Sequence, residues 1–248
     1  MISFLLLFLR LEYSILTTGS MWFEPHFGEK MKKSDLKNTI LFKGMAEEEI
    51  EECLREMNAF EKTYRKGSVI LSAGKITSAM GLVREGSVTI ESNDLWGNRT
   101  ILSHISKGEF FAETYALLGE VMLVDAIANE DCRVLFLHVD RILSGRVSAS
   151  KLTARLLRIS AVKNLTLSSR SFHTASKSAR ARILAYLNSV SLQRDSREFD
   201  IPFDRQQMAD YLNLERTNMS KELSKMQKEG LIRFRKNHFK LIENDEYV

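Results

Sequence analysis

Arg216, Thr217, Ser220 and Lys221 fall within six consecutive residues, and each carries a side chain suited to reading base edges. On a helix starting at Arg216 they lie away from the apolar row Met219, Leu223 and Met226. Arg216 and Lys221 suit the O6 and N7 acceptors of guanine, Thr217 a thymine methyl or a hydrogen bond, and Ser220 either kind of base. The N-terminal end of such a helix is the part presented to the major groove. Arg205 and Gln206, at the start of the helix before it, are candidates for phosphate contacts, which position a protein without specifying sequence.

No other arrangement offers comparable chemistry. The chain has no Ser/His/Asp constellation, no Gly-rich phosphate loop and no metal-ligand spacing, so no catalytic residue, metal or cofactor is expected. Cys53 and Cys132 stand alone, which excludes a disulfide framework, a zinc finger and a four-cysteine iron–sulfur site. Such sparse cysteine fits a reducing, cytoplasmic setting. His104 is read as a structural or surface histidine rather than a haem ligand.

The reading residues need a frame. Asp204 is the N-cap of one helix and Gln207 stands three residues on, the spacing of a capping box. Met208, Ala209 and Leu212 give that helix an apolar face, and Asn213 suits the left-handed residue that ends it. The second helix runs from Arg216 to Glu229. Gly230-Leu-Ile232 then leads into a basic hairpin turning at Lys236-Asn237. Charge agrees with this placement: residues 1–150 hold 17 basic against 21 acidic side chains, residues 151–248 hold 19 against 11, and the basic half favours a polyanion.

Upstream, Ser34–Ile40 and Ala46–Asn58 read as short helices, the second with Ile50, Leu54 and Met57 on one face. From Phe60 to Leu137 short β-type runs alternate with turn residues, the pattern of an antiparallel sandwich or barrel. A long helix from Ala149 to about Arg170 follows, with Leu152, Leu156, Ile159 and Val162 widened by Ala154, Leu157, Ala161 and Leu165. So broad an apolar face suits packing on its own domain and on a second copy. Ser176–Leu192 reads as another helix and Asp195–Pro202 as a polar connector. The apolar run Ser3–Leu9 is too short to span a bilayer, and residues 1–30 are expected to be peripheral to the fold.

From about Leu41 to Leu241 the chain resembles the Crp/Fnr family of bacterial regulators. Arg216-Thr-Asn-Met-Ser-Lys221 is similar to the family's recognition-helix core, and Gly108-Glu-Phe-Phe-Ala-Glu113 to its phosphate-binding cassette. The resemblance implies an α+β fold: an N-terminal extension (1–33), a cyclic-nucleotide-binding-like β-roll effector domain (34–145), a dimerisation helix (146–172) and a winged helix-turn-helix (173–248). It implies a homodimer that binds double-stranded DNA, works with RNA polymerase and answers to a small-molecule effector.

Two departures matter. Thr217 stands where the family often has Glu, which points to a different operator. Glu113 matches the ribose-holding glutamate, but the Arg-Ser pair that grips a cyclic nucleotide's phosphate is replaced within Val121-Met122-Leu123-Val124, and Ala112 replaces a glycine. A phosphate facing apolar side chains would be unpaired, which argues against cyclic AMP. Tyr115, Met122 and Leu123 suit a small apolar or aromatic ligand, or are ordinary core. A competing reading is a ligand-sensing module that acts through protein partners and has little affinity for DNA.

Overall fold

The computed structural model describes residues 33–94, 96–143 and 149–242; the expectation for residues 1–30 lies outside them. A short 3-10 helix (Lys33–Asn38) precedes α1 (Glu47–Glu56). Glu47, Glu48 and Glu49 crowd the first turn of α1, where the helix dipole favours negative charge, and Ile50, Cys53 and Leu54 face inward.

Eight strands follow: β1 (Phe60–Tyr64), β2 (Val69–Leu71), β3 (Ala79–Glu85), β4 (Val88–Asn93), β5 (Arg99–Ile105), β6 (Phe110–Phe111), β7 (Asp125–Ala128) and β8 (Cys132–His138). They form two four-stranded antiparallel sheets, ordered β1-β8-β3-β6 and β2-β7-β4-β5. Val83, Val88, Ile105, Phe111, Val134 and Phe136 form the core that joins them. Gly81 on β3 pairs with Phe111 on β6, and a Cβ at position 81 would collide with the Phe111 ring. Helix α2 (Glu113–Leu118) bridges β6 and β7.

Beyond α3 (Asp140–Leu143) runs α4 (Ala149–Ala175), 27 residues and so about 40 Å long. It bears two faces. Leu152, Leu156 and Ile159 are buried against the body of the protein, while Leu157, Val162, Leu165, Leu167 and Phe172 are exposed.

The C-terminal part packs α5 (Ala179–Arg194), α6 (Arg205–Leu212) and α7 (Arg216–Lys228) around Ile183, Leu187, Met208, Leu212, Met219 and Leu223. A three-stranded sheet, β10 (Ile232–Arg235), β11 (His238–Leu241) and β9 (Glu198–Asp200), flanks them. Strand β9 lies within the stretch expected to be a polar connector. Phe199 and Ile201 in this stretch and Phe203 beyond it are buried, a two-residue alternation that was the available strand signal, although β9 itself holds only Phe199 between two exposed acids.

The two parts touch through β5. Ile101 belongs to the core of the helical part. Arg99 donates from Nε and Nη2 to Asp210 Oδ2 on α6 at 2.8 and 2.6 Å, Arg170 Nε on α4 donates to the Ile101 carbonyl at 3.0 Å, and Gln207 donates to Asn129. His104 meets the Phe203 ring edge-on. Among the described residues no helix is long and apolar enough to cross a membrane.

Candidate nucleic-acid interface and ligand pocket

The helix-turn-helix is set by local chemistry. Asp204 accepts from the Gln207 backbone N–H at 2.8 Å and Gln207 Oε1 accepts from the Asp204 N–H at 3.0 Å, closing the expected capping box. Asn213 ends α6 at φ 55°, and Arg182 secures the turn by donating to the Asn213 carbonyl at 2.8 Å. Glu215, not singled out from sequence, caps α7: its carboxylate accepts from the Thr217 and Asn218 N–H groups at 3.0 Å each. The Thr217 side chain, together with those two backbone hydrogen bonds, holds its pKa below the usual carboxylate range.

Met219, Leu223 and Met226 are fully buried, so α7 cannot rotate without exposing them. Its opposite side is a shallow open surface formed by Thr217, Ser220, Lys221, Ser224, Lys225 and Lys228, with Arg216 exposed at the N-terminal end. Four candidate reading residues therefore share one exposed face. Ser224, Lys225 and Lys228 extend it; the signal for them was the continued i, i+3, i+4 spacing from Thr217 and Lys221.

The two α6 candidates are less free. The Arg205 guanidinium lies over the Phe234 and Phe239 rings, 4.6 and 5.1 Å from their centroids, and donates to the Lys236 carbonyl at 2.9 Å. Its task is to hold the β10–β11 hairpin, which competes with the expected phosphate contact. Gln206 is exposed, and its amide donates to Asp210 Oδ1 at 2.8 Å.

The second site is a cavity of about 160 Å³ bounded by β4, β5, α2 and α4. Ile90, Phe111, Met122 and Val124 give it apolar walls, and Glu113 and Tyr115 line it as expected. Leu123 does not. It is 77% exposed and outside the cavity, at a bend in the chain between Met122 and Val124, which both line it. Ala112 adopts φ 62°, a left-handed conformation that a glycine would take without steric cost.

Lys163 was not foreseen. It enters the cavity from α4, and burial pushes its ammonium below the usual lysine range against the attraction of Glu113 and Glu109. Its position continues the buried row Leu152, Leu156, Ile159, and that spacing was the available signal. Among the described residues no group of His, Cys, Asp and Glu side chains could hold a metal ion.

A cyclic nucleotide-binding domain model matches residues 61–150, and a Crp-like helix-turn-helix domain model matches residues 181–245. The chain belongs to the Crp/Fnr family of transcriptional regulators. Solved structures share the Crp/Fnr fold at low identity. FixK2 from Bradyrhizobium japonicum is 20% identical over 75% of this chain and 93% of its own, with a TM-score of 0.62. The regulator CLP from Xanthomonas campestris is 19% identical over 80% and 100%, with a TM-score of 0.62. A CooA mutant from Carboxydothermus hydrogenoformans is 16% identical over 87% and 93%, with a TM-score of 0.65. No curated protein sequence matches the chain. As a Crp/Fnr-type regulator the protein binds DNA.

Proposed function

We propose that the protein is a homodimeric, sequence-specific transcription regulator of the cytoplasm, and that α7 lies in the major groove under the control of a small effector other than cyclic AMP. The observation that carries this is the face of α7: a strip of hydroxyl and ammonium groups opposite a fully buried apolar row. In this reading Arg216, Thr217, Ser220 and Lys221 address base edges, Gln206 and Arg205 address phosphates, and RNA polymerase receives the output.

Dimerisation is supported by α4. Leu157, Leu165 and Phe172 are 72, 69 and 73% exposed and line up with Ala161 and Ser168 at spacings of four, four, three and four, close to a coiled-coil seam. A two-fold axis along that seam pairs two reading heads with half-sites about 34 Å apart. In this reading the residues before α4 belong to the effector domain, α4 (Ala149–Ala175) is the dimer helix, and the residues after it belong to the DNA-binding domain. Cyclic AMP is disfavoured because Met122 and Val124 stand where its phosphate would be gripped.

Sites selected from random duplex DNA should yield a pseudo-palindrome, and affinity for it should fall steeply with salt. Arg216→Ala should cost about 1–3 kcal/mol at the base it contacts and relax preference there. Unchanged affinity and sequence preference in that variant would remove α7 from the groove.

A further inference from the structure

The cavity at the head of α2 holds two opposite charges that do not touch. Glu113 is 4% exposed, and among the described residues its carboxylate accepts no hydrogen bond. Lys163 reaches the same space from α4, and no acceptor among the described residues lies within ion-pair distance of its Nζ. The surrounding walls are chiefly aliphatic and aromatic. Glu113 is buried and Lys163 half-buried, and charges drawn away from water are costly unless something pairs them. Here neither pairs with the other, although each faces the cavity.

The cavity, about 160 Å³ and open to solvent on one side, admits several waters or the body of a small ligand.

The geometry points to a small bipolar acid as the occupant: an α-amino or α-hydroxy acid with an apolar side chain, its carboxylate on Lys163 Nζ and its α-substituent donating to Glu113. Ile90, Phe111, Met122 and Val124 take the apolar body. This rests on reading the cavity as the effector site. It adds the chemistry of the effector, and with it a reason for a lysine in the inner row of α4. An acid so held ties the cassette helix to the dimer helix, because Glu113 belongs to one and Lys163 to the other.

The test is calorimetric titration of the full chain with L-amino acids from alanine to leucine, the matching hydroxy acids from lactate to leucic acid, and one-ended analogues. Isocaproate lacks the donor, isoamylamine lacks the carboxylate, and cyclic AMP is the family control. One bipolar series should bind, with each one-ended analogue at least tenfold weaker. Lys163→Met should abolish the preference for the carboxylate while leaving thermal stability equal or higher, since it keeps the stem and removes a half-buried charge. Glu113→Gln separates the two sources. It should weaken an amino acid at least tenfold and a hydroxy acid far less, because the amide oxygen still accepts from a hydroxyl. The inference is overturned if no bipolar acid binds a protein that still holds duplex DNA, if cyclic AMP binds more tightly than every acid, or if folded Lys163→Met binds unchanged. Loss of DNA binding in the unsubstituted chain would instead sink the regulator reading.

Discussion

His238 sits between two carboxylates: Nε2 is 3.1 Å from Glu198 Oε1 and Nδ1 is 3.1 Å from Asp200 Oδ1. Only the imidazolium can donate from both ring nitrogens, so the hydrogen bonds to Glu198 and then Asp200 raise its pKa. Folding therefore gains from protonated His238. That gain is complete below the ordinary histidine value of about 6.5 and is lost as pH rises through the raised folded value. Wild type should lose melting temperature relative to His238→Gln across that interval, modestly because the group is exposed. Parallel pH profiles would refute the assignment. Sequence could not supply this triad, since its members are joined only by the pairing of β9 with β11. The capping box of Asp204 and Gln207 was legible because its partners are three residues apart. Glu215 was equally local, and the helix start at Arg216 put it at the N-cap, but glutamate is not among the residues usually preferred there.

Helix α4 shows what periodicity reveals and what it hides. Its start at Ala149 and its broad apolar face were plain from spacing alone, but it runs to Ala175 rather than ending at about Arg170. The division of that face was not, because Leu156 and Leu157 look alike in sequence and differ only in what lies across from them. Lys163 was masked by its company: it is one of eight basic residues between Lys151 and Arg182, and a run of charge reads as solvated surface. If the exposed row is the dimer seam, Leu165→Glu should convert the protein to monomer in sedimentation experiments while its helical circular dichroism remains. Specific DNA affinity should fall at least tenfold, since one head then binds without its twin. A dimer that survives the substitution would move the interface elsewhere. Leu152→Glu differs in kind, because Leu152 is 1% exposed and its replacement should unfold the domain.

At the scale of the whole molecule, the sensing and reading parts are joined by polar contacts as well as by packing. Arg99 and Asp210 are 111 positions apart in the chain, so no pattern in the sequence could pair them, whereas the two modules themselves were legible from their motifs. Asp210 is only 10% exposed, and Arg99→Ala leaves its Oδ2 without a partner, while Gln206 still donates to Oδ1. The variant should lose about 1–3 kcal/mol in denaturant titrations, with the Asp210→Ala double-mutant cycle isolating the pair. Additive effects would show that the contact carries no coupling. The arrangement of β5 gives this junction its reach. Ile101 belongs to the core beneath the helix-turn-helix, and the next two residues, Leu102 and Ser103, form a wall of the ligand cavity. An effector bound there as proposed would press on that wall one peptide link, about 3.8 Å along the backbone, from a residue of the reading module's core. Sensor and reader thus have no intervening spacer to tune: a substitution at position 101 or 102 alters both at once, and new ligand preferences must arise on the other walls if the DNA module is to stay as it is.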